Sequence, residues 1–161
     1  MTEPALEFMR RLDAIPGQRV ALAHQPVDYP EGCPSALPGD MIWPIWWTRV
    51  IGPVPTMAML YLQHLVSNRA SLVSLSQVAE AFHAPVEVED PSSAFSLHRF
   101  HWAISQCALH RLIGLASIEA RGELEPSSVL ILPNRIPRPG RAGFDAITES
   151  FQELTGEATD G

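Results

Sequence analysis

The sequence predicts a mostly helical α+β fold that carries one small β-hairpin. A short helix signal over Leu75–Phe82 is followed by a longer one over Ser92–Ile113. Gly114 ends the longer helix, and two strand-like runs follow at Leu115–Arg121 and Val129–Leu132, separated by a polar turn. The expected order is therefore helix, helix and hairpin.

Composition limits the classes of protein that the chain can belong to. Its 161 residues suit one core with extensions, and an apolar share of 46% indicates a globular protein. The net charge of −7 argues against a generally basic nucleic-acid binder. The sequence has no signal-peptide pattern and no apolar run long enough to span a bilayer, and its two cysteines are expected to be free thiols. We therefore expect a cytoplasmic protein without membrane contact.

The charges are unevenly distributed along the chain. Three stretches lack acidic residues, at 41–78, 91–118 and 126–144, and their only charged side chains are arginines. Local potential governs the attraction of phosphate more than net charge does. An acidic protein of this kind can still present a locally positive face.

The N-terminal part combines a helix with a proline-rich segment. The spacing of Leu6, Met9 and Leu12 predicts an amphipathic helix over residues 4–15. Residues 17–39 are rich in proline and have no long periodic run, which predicts an extended loop or a link to the body.

A tryptophan-rich segment follows, with Trp43, Trp46 and Trp47 close together. Asp40 could cap a short helix that has Pro44 in its first turn. The cluster either packs on the core as an anchor, forms an exposed patch for a partner protein, or stacks on nucleic-acid bases.

The central part of the chain starts at Gly52 and carries helix and strand signals. Residues 55–68 follow a helical apolar pattern, and residues 71–73 could form a short strand. Ser74 and Gln77 then form a capping pattern for the helix over Leu75–Phe82.

The long helix has two apolar faces. The expected core stripe consists of Leu97, Phe100, Ile104, Cys107, Ala108 and Leu112. A second apolar stripe, nearly opposite, consists of Phe95, Trp102, Leu109 and Ile113. Either the N-terminal segment encloses this helix, or the second stripe builds a dimer.

The same helix supplies the candidate DNA contacts. Its first turns, where backbone N–H groups favour phosphate, hold Ser92, Ser93 and Ser96. Farther along, the side chains suited to phosphates or base edges are His98, Arg99 and Gln106. An ion pair between Arg99 and the acidic run Glu87–Asp90 is the alternative for that arginine. Because Glu123 and Glu125 lie in the hairpin turn, the tip is not a candidate contact.

The C-terminal part begins with arginines that alternate with prolines. Arg135 and Arg138 suggest an extended arm along a phosphate backbone, or else a solvated linker. An acidic amphipathic helix follows, and it either docks on the domain or pairs with its twin. One face of this helix carries Phe144, Ile147, Phe151 and Leu154. Residues 155–161 are expected to be disordered.

Catalytic and metal signals are weak. His98, His101, Cys107 and His110 have zinc-ligand chemistry, but they spread over about two-thirds of the helix circumference. One ion cannot collect all four, and only a two-residue site with outside help stays open. The sequence has no nucleophile elbow, phosphate loop or dinucleotide motif. We therefore expect no enzyme activity, no metal and no cofactor.

The block from Gly52 to Pro133 resembles the winged helix-turn-helix superfamily, as found in many bacterial transcription regulators. The resemblance rests on the helix Leu75–Phe82, the passage Leu109–Leu115 and the hairpin after it. It implies that the long helix enters the major groove of DNA. The corresponding division is an N-terminal part at 1–48, a winged-helix domain at 49–133 and a C-terminal arm and helix at 134–161.

Two functions follow from these observations. The leading hypothesis is a regulator that binds duplex DNA as a homodimer. The alternative is a winged-helix module that binds protein, supported by the net charge and the doubly apolar long helix. Its candidate partner-binding residues are Trp43, Trp46, Trp47 and Trp102.

Overall fold

A four-stranded mixed sheet and six helices form the part of the chain that the computed structural model describes, which is residues 2–83, 93–119, 122 and 126–155. The helices are α1 (Glu3–Asp13), α2 (Ile42–Ile51), α3 (Pro53–Ser67), α4 (Leu75–His83), α5 (Ser93–Leu109) and α6 (Arg141–Thr155). The strands are β1 (Arg19–Gln25), β2 (Ser35–Ala36), β3 (Leu72–Ser74), β4 (Gly114–Ser117), β5 (Ser128–Pro133) and β6 (Ile136–Pro137).

The α+β class is confirmed, and so is the order of helices, short strand and hairpin from α3 to β5. The N–H of Gln77 points at Ser74 Oγ at 3.5 Å, as the capping pattern predicts. The acidic run Glu87–Asp90, the turn residues Glu123 and Glu125, and the end of the tail at 156–161 lie outside the described residues.

The long helix ends earlier than its sequence pattern predicts. It stops at Leu109 instead of Ile113 because Arg111 takes a left-handed backbone conformation with φ +63°. The N–H groups of His110 and Leu112 both turn back to the carbonyl of Cys107. This turn directs the chain into β4 at Gly114, so that Leu115 lies opposite Leu130 in the hairpin.

The strand β1 corrects the prediction of a loop over residues 17–39. It lies between β3 and β5 in the sheet order β3-β1-β5-β4, antiparallel to β3 and parallel to β5. Its buried side chains Val20 and Leu22 alternate with half-buried neighbours, as a strand requires. The neighbours include the two alanines Ala21 and Ala23, whose low strand preference weakens the strand signal in the sequence.

The small sheet of β2 and β6 corrects the prediction of an arm or solvated linker after Pro133. Ala36 lies opposite Ile136 in this antiparallel pair, and both side chains are buried. The backbone N–H of Arg138 continues the pairing by donating to the carbonyl of Pro34 at 2.8 Å. The segment is therefore fixed against the loop that precedes α2.

The three parts predicted from the sequence, with boundaries at residues 48/49 and 133/134, share one hydrophobic core. It contains Leu12 from α1, Trp43 from α2, Phe100 from α5, Leu130 from β5 and Ile147 from α6. The C-terminal helix docks on the sheet through contacts with β1 and β4. Among the helices described, none has the length and apolar character needed to cross a membrane.

Candidate functional site

The exposed side of α5 is the candidate DNA-contact surface, and most of this helix is covered. It packs against α1, α3 and α4, and Phe100, Ala103 and Ile104 are fully buried. Among its described side chains, which start at Leu97, His98 and Arg99 are exposed. The accessible surface, which we call the α5 strip, consists of His98, Arg99, Trp102, Gln106 and Leu109. The last three are half-buried, so the strip is narrow.

The buried side chain of His101 ties α1 to one flank of this strip. Its Nδ1 lies 2.7 Å from Asp13 Oδ1, and its Nε2 lies 2.9 Å from Gln18 Oε1. The amide nitrogen of Gln18 donates to the carbonyls of Leu12 at 2.9 Å and Ile15 at 3.2 Å. These bonds fix the amide with its oxygen toward the imidazole ring. On this flank the N-terminal segment covers α5, which agrees with one of the two alternatives that the sequence leaves open.

The charge state of His101 is set by two opposing effects. Burial lowers the pKa of His101, whereas its hydrogen bond and charge interaction with Asp13 raise it. The Asp13 side chain is 63% exposed, so an accessible carboxylate lies next to His101 on this flank of α5. Along α5 itself there is no acidic residue. The strip therefore carries the Arg99 guanidinium, and the Asp13 carboxylate lies on the neighbouring flank.

The serines proposed as phosphate contacts occupy the start of α5. The helix begins at Ser93, and Ser92 lies outside the described residues, as do the side chains of Ser93 and Ser96. The α5 strip is therefore defined without these three serines.

Arg135 and Arg138 differ in their surroundings. The Nε of Arg135 donates to Ser35 Oγ at 2.9 Å, and one of its Nη atoms donates to the Ser35 carbonyl at 3.2 Å. Tyr29 donates its hydroxyl to the Arg135 carbonyl, and burial raises the pKa of Tyr29. Arg135 thus fastens the small sheet, whereas the Arg138 side chain is exposed.

Two of the clustered tryptophans are core anchors. Trp43 is fully buried and donates its indole N–H to the Pro38 carbonyl at 3.0 Å. Trp47 is 4% exposed and donates to the Pro137 carbonyl at 2.8 Å. Neither side chain is exposed for contact with a partner, while Trp46 and Trp102 are half-buried. Asp40 is also not the predicted cap, because its carboxylate accepts the N–H of Leu37.

The side of α2 that lies opposite Trp43 and Trp47 presents apolar side chains to solvent. This surface, which we call the α2 outer face, consists of Ile42, Ile45, Trp46, Arg49 and Val50. Ile45 is 56% exposed, and the neighbouring Met41 is 75% exposed. Beside it lies a groove of about 540 Å³, lined in part by Met41, Met57 and Phe82. A helix that is apolar on all sides is normally covered by other parts of a protein. The apolar residues on every side of α2 are therefore the sequence pattern that indicates an additional contact surface here.

The histidines and the cysteine of α5 have separate neighbours. The Cys107 thiol is buried, which raises its pKa, and it donates to the Pro55 carbonyl at 3.3 Å. The His110 ring lies edge-on to Trp47 at 5.5 Å, and burial lowers the pKa of His110. Within the part of the chain that is described, no three histidine, cysteine or acidic side chains gather where they could hold a metal ion.

Comparisons of the chain with protein-family models, with curated proteins and with solved structures find no match. The proposals below therefore rest on the residues and their geometry.

Proposed function

We propose that the chain is a DNA-binding protein of the winged-helix type that acts as a homodimer, probing duplex DNA with the α5 strip. The observation that carries the proposal is that α5 exposes His98 and Arg99 and bears no carboxylate along its length. Guanidinium and imidazole groups bind phosphates and base edges. The order of elements from α3 to the β4–β5 hairpin supports this reading.

The narrowness of the strip determines what kind of binding to expect. Trp102 and Gln106 are half-buried, so few side chains can reach base edges. Each phosphate that a cation neutralises contributes about −0.9 to the slope of log K against log salt. We therefore expect a shallow salt dependence, to which the two copies of Arg99 in a dimer contribute about −2.

The test is selection from a random duplex library at low salt, followed by affinity measurement on the enriched sequence. Arg99→Ala should weaken binding by about tenfold, as expected for the loss of a charged hydrogen bond. Arg141→Ala is the matched control, because Arg141 is 87% exposed and pairs with Asp145 on α6. The proposal fails if no sequence is enriched, or if both variants weaken binding equally.

The α2 outer face is the proposed dimer contact. Across a twofold axis, antiparallel α2 helices would place Ile45 opposite Trp46 of the second copy. The two Arg49 side chains would then lie roughly 10 Å apart along the helix axis at 1.5 Å per residue, which avoids direct repulsion. Exposed apolar groups of this kind commonly mark an interface.

The dimer is tested by measuring the mass of the protein in solution. Ile45→Glu should convert a dimer into a monomer, because it places a charge in the apolar contact. Leu6→Glu provides the control, since Leu6 is also an exposed apolar side chain, at 39%, but lies on α1. A monomeric wild-type protein would refute this contact.

A protein-binding module is the second candidate, and the groove beside α2 favours it. The groove of about 540 Å³ has methionines in its lining, which adapt to apolar partners. This candidate predicts a monomer that selects no DNA sequence. A photo-crosslinker at position 45 should then capture one protein species that the same group at position 6 does not capture.

A further inference from the structure

A second cleft lies beside the C-terminal end of the α5 strip, with which it shares Leu109, and away from the α2 outer face. It has a volume of about 450 Å³ and opens between α1, the C-terminal part of α5, β4 and α6. Sites for small molecules usually measure about 300–1,000 Å³. The cleft is therefore large enough for a metabolite-sized ligand.

The cleft has a broad apolar lining. Phe8 and Leu109 contribute from α1 and α5, and Phe151 contributes from α6. The Phe151 ring lies so close to Gly114 that an added Cβ at Gly114 would come within 2.8 Å of it. This contact closes the cleft on the α6 side and holds the ring in place. A ligand with an apolar body would find a preformed surface there.

Two arginines provide the charge of the cleft. One Nη of Arg11 donates to the Leu115 carbonyl at 2.8 Å, and the Arg111 guanidinium lies 5.7 Å from the centre of the Phe144 ring. Among the described residues, neither guanidinium forms an ion pair with a carboxylate. The acidic group in the lining, Glu7, is already paired with Arg10 at 3.2 Å. The cleft is therefore cationic.

The hydroxyl groups in the lining have already donated their protons. Ser105 Oγ donates to the Trp102 carbonyl at 2.6 Å, and Thr148 Oγ1 donates to the Phe144 carbonyl at 2.8 Å. The guanidinium N–H groups of Arg11 and Arg111 are the charged donors that remain for a ligand. Such donors favour an anionic acceptor, above all a carboxylate.

We propose that this cleft binds a small organic carboxylate with an apolar body. The carboxylate lies on the Arg11 and Arg111 guanidinium groups, and the body packs on Phe8, Leu109 and Phe151. The proposal is independent of DNA binding, because the cleft and the α5 strip use different residues except for Leu109. Its ligand would bridge α1, α5 and α6 and so stabilise the folded chain.

Calorimetric titration with 4-phenylbutyrate tests the proposal. We expect saturable binding at one site, about tenfold or more weaker binding of the neutral 4-phenylbutyramide, and no comparable binding of inorganic phosphate. Arg111→Asn should weaken 4-phenylbutyrate binding about tenfold, since asparagine tolerates the left-handed backbone at φ +63°. Arg141→Gln removes an exposed cation on α6 outside the cleft and should leave affinity unchanged.

Arg11→Gln is the second variant, and thermal unfolding checks that it still folds, because Arg11 also holds the Leu115 carbonyl. Amide shifts in NMR spectra should concentrate around the cleft, with the groove beside α2 unaffected. The proposal is overturned if 4-phenylbutyrate does not saturate, if the amide binds equally well, or if Arg111→Asn retains wild-type affinity. Shifts confined to the groove beside α2 would likewise overturn it.

Discussion

The Phe151 ring packs directly over the backbone of Gly114. A Cβ built on Gly114 would lie 2.8 Å from Cδ2 of Phe151 and 3.1 Å from Cε2. Gly114 is the first residue of β4, and Phe151 belongs to the face of α6 that docks on the sheet. The absence of a side chain at this glycine therefore sets how closely α6 approaches the hairpin.

Gly114→Ala should destabilise the protein by about 1–3 kcal/mol, because the methyl group forces Phe151 off its position in a packed contact. The free energy of unfolding in urea measures the effect. Gly39→Ala is the control, since an added Cβ at Gly39 meets no atom within 4 Å. Equal stability of the two variants would show that Phe151 moves aside without cost.

Two tryptophans of α2 should respond differently to the same substitution. Trp43→Ala should cost about 3–5 kcal/mol of stability, because Trp43 is fully buried and its loss leaves a large cavity. Trp46→Ala should cost much less, since Trp46 is half-buried on the α2 outer face. Urea unfolding of the two variants at a concentration where both are monomeric provides the comparison. A similar loss in both would contradict the assignment of Trp43 as the anchor.

The local elements could be predicted because each carries its own pattern. Helix α4 follows from a capping serine and a helical apolar spacing, and the hairpin follows from Gly114 and two apolar runs. The helix α6 itself follows from its amphipathic spacing. These features depend on residues close in sequence, so the chain reveals them without any knowledge of tertiary contacts.

The candidate surfaces were harder to predict because they depend on long-range packing. The strand β1 becomes central only through pairing with β3 and β5, which lie far along the chain. The roles of Trp43 and Trp46 depend on which side of α2 meets the core, and a helix that is apolar all round does not specify that side. Arg135 likewise looks like part of an arm until its contact with Ser35 is known.

Gln18 and Arg69 share a left-handed backbone but differ in what their side chains bind. Their φ angles are +56° and +65°. Gln18 joins the end of α1 to His101, whereas the Arg69 side chain is exposed. Gln18→Gly should therefore cost about 1–3 kcal/mol through the loss of its partly buried hydrogen bonds, despite the relief of backbone strain.

Arg69→Gly serves as the matched variant, and its stability should change by less than about 1 kcal/mol. Hydrogen exchange should show faster exchange in α1 for the Gln18 variant alone. If both variants have the same free energy of unfolding, the Gln18 side chain does not hold α1 on α5.

Acidification should weaken the fold partly through His110. Burial beside Trp47 lowers the pKa of His110 in the folded protein below its ordinary value of 6.5. The unfolded chain therefore binds a proton more readily than the folded chain as the pH falls through this range. The contribution of neutral His110 to the free energy of unfolding is fully present above about pH 6.5. It is lost as the pH falls toward the lower pKa of the folded state.

His110→Phe tests this because it retains an aromatic ring beside Trp47 but cannot titrate. Urea unfolding between about pH 7.5 and 5.5 should give a smaller loss of stability for this variant than for the wild-type protein. His101, whose pKa burial also lowers, contributes in the same direction and remains in the variant, so part of the loss persists. An unchanged pH profile in His110→Phe would show that protonation of His110 costs the folded state nothing, and that the ring reaches solvent when it is charged.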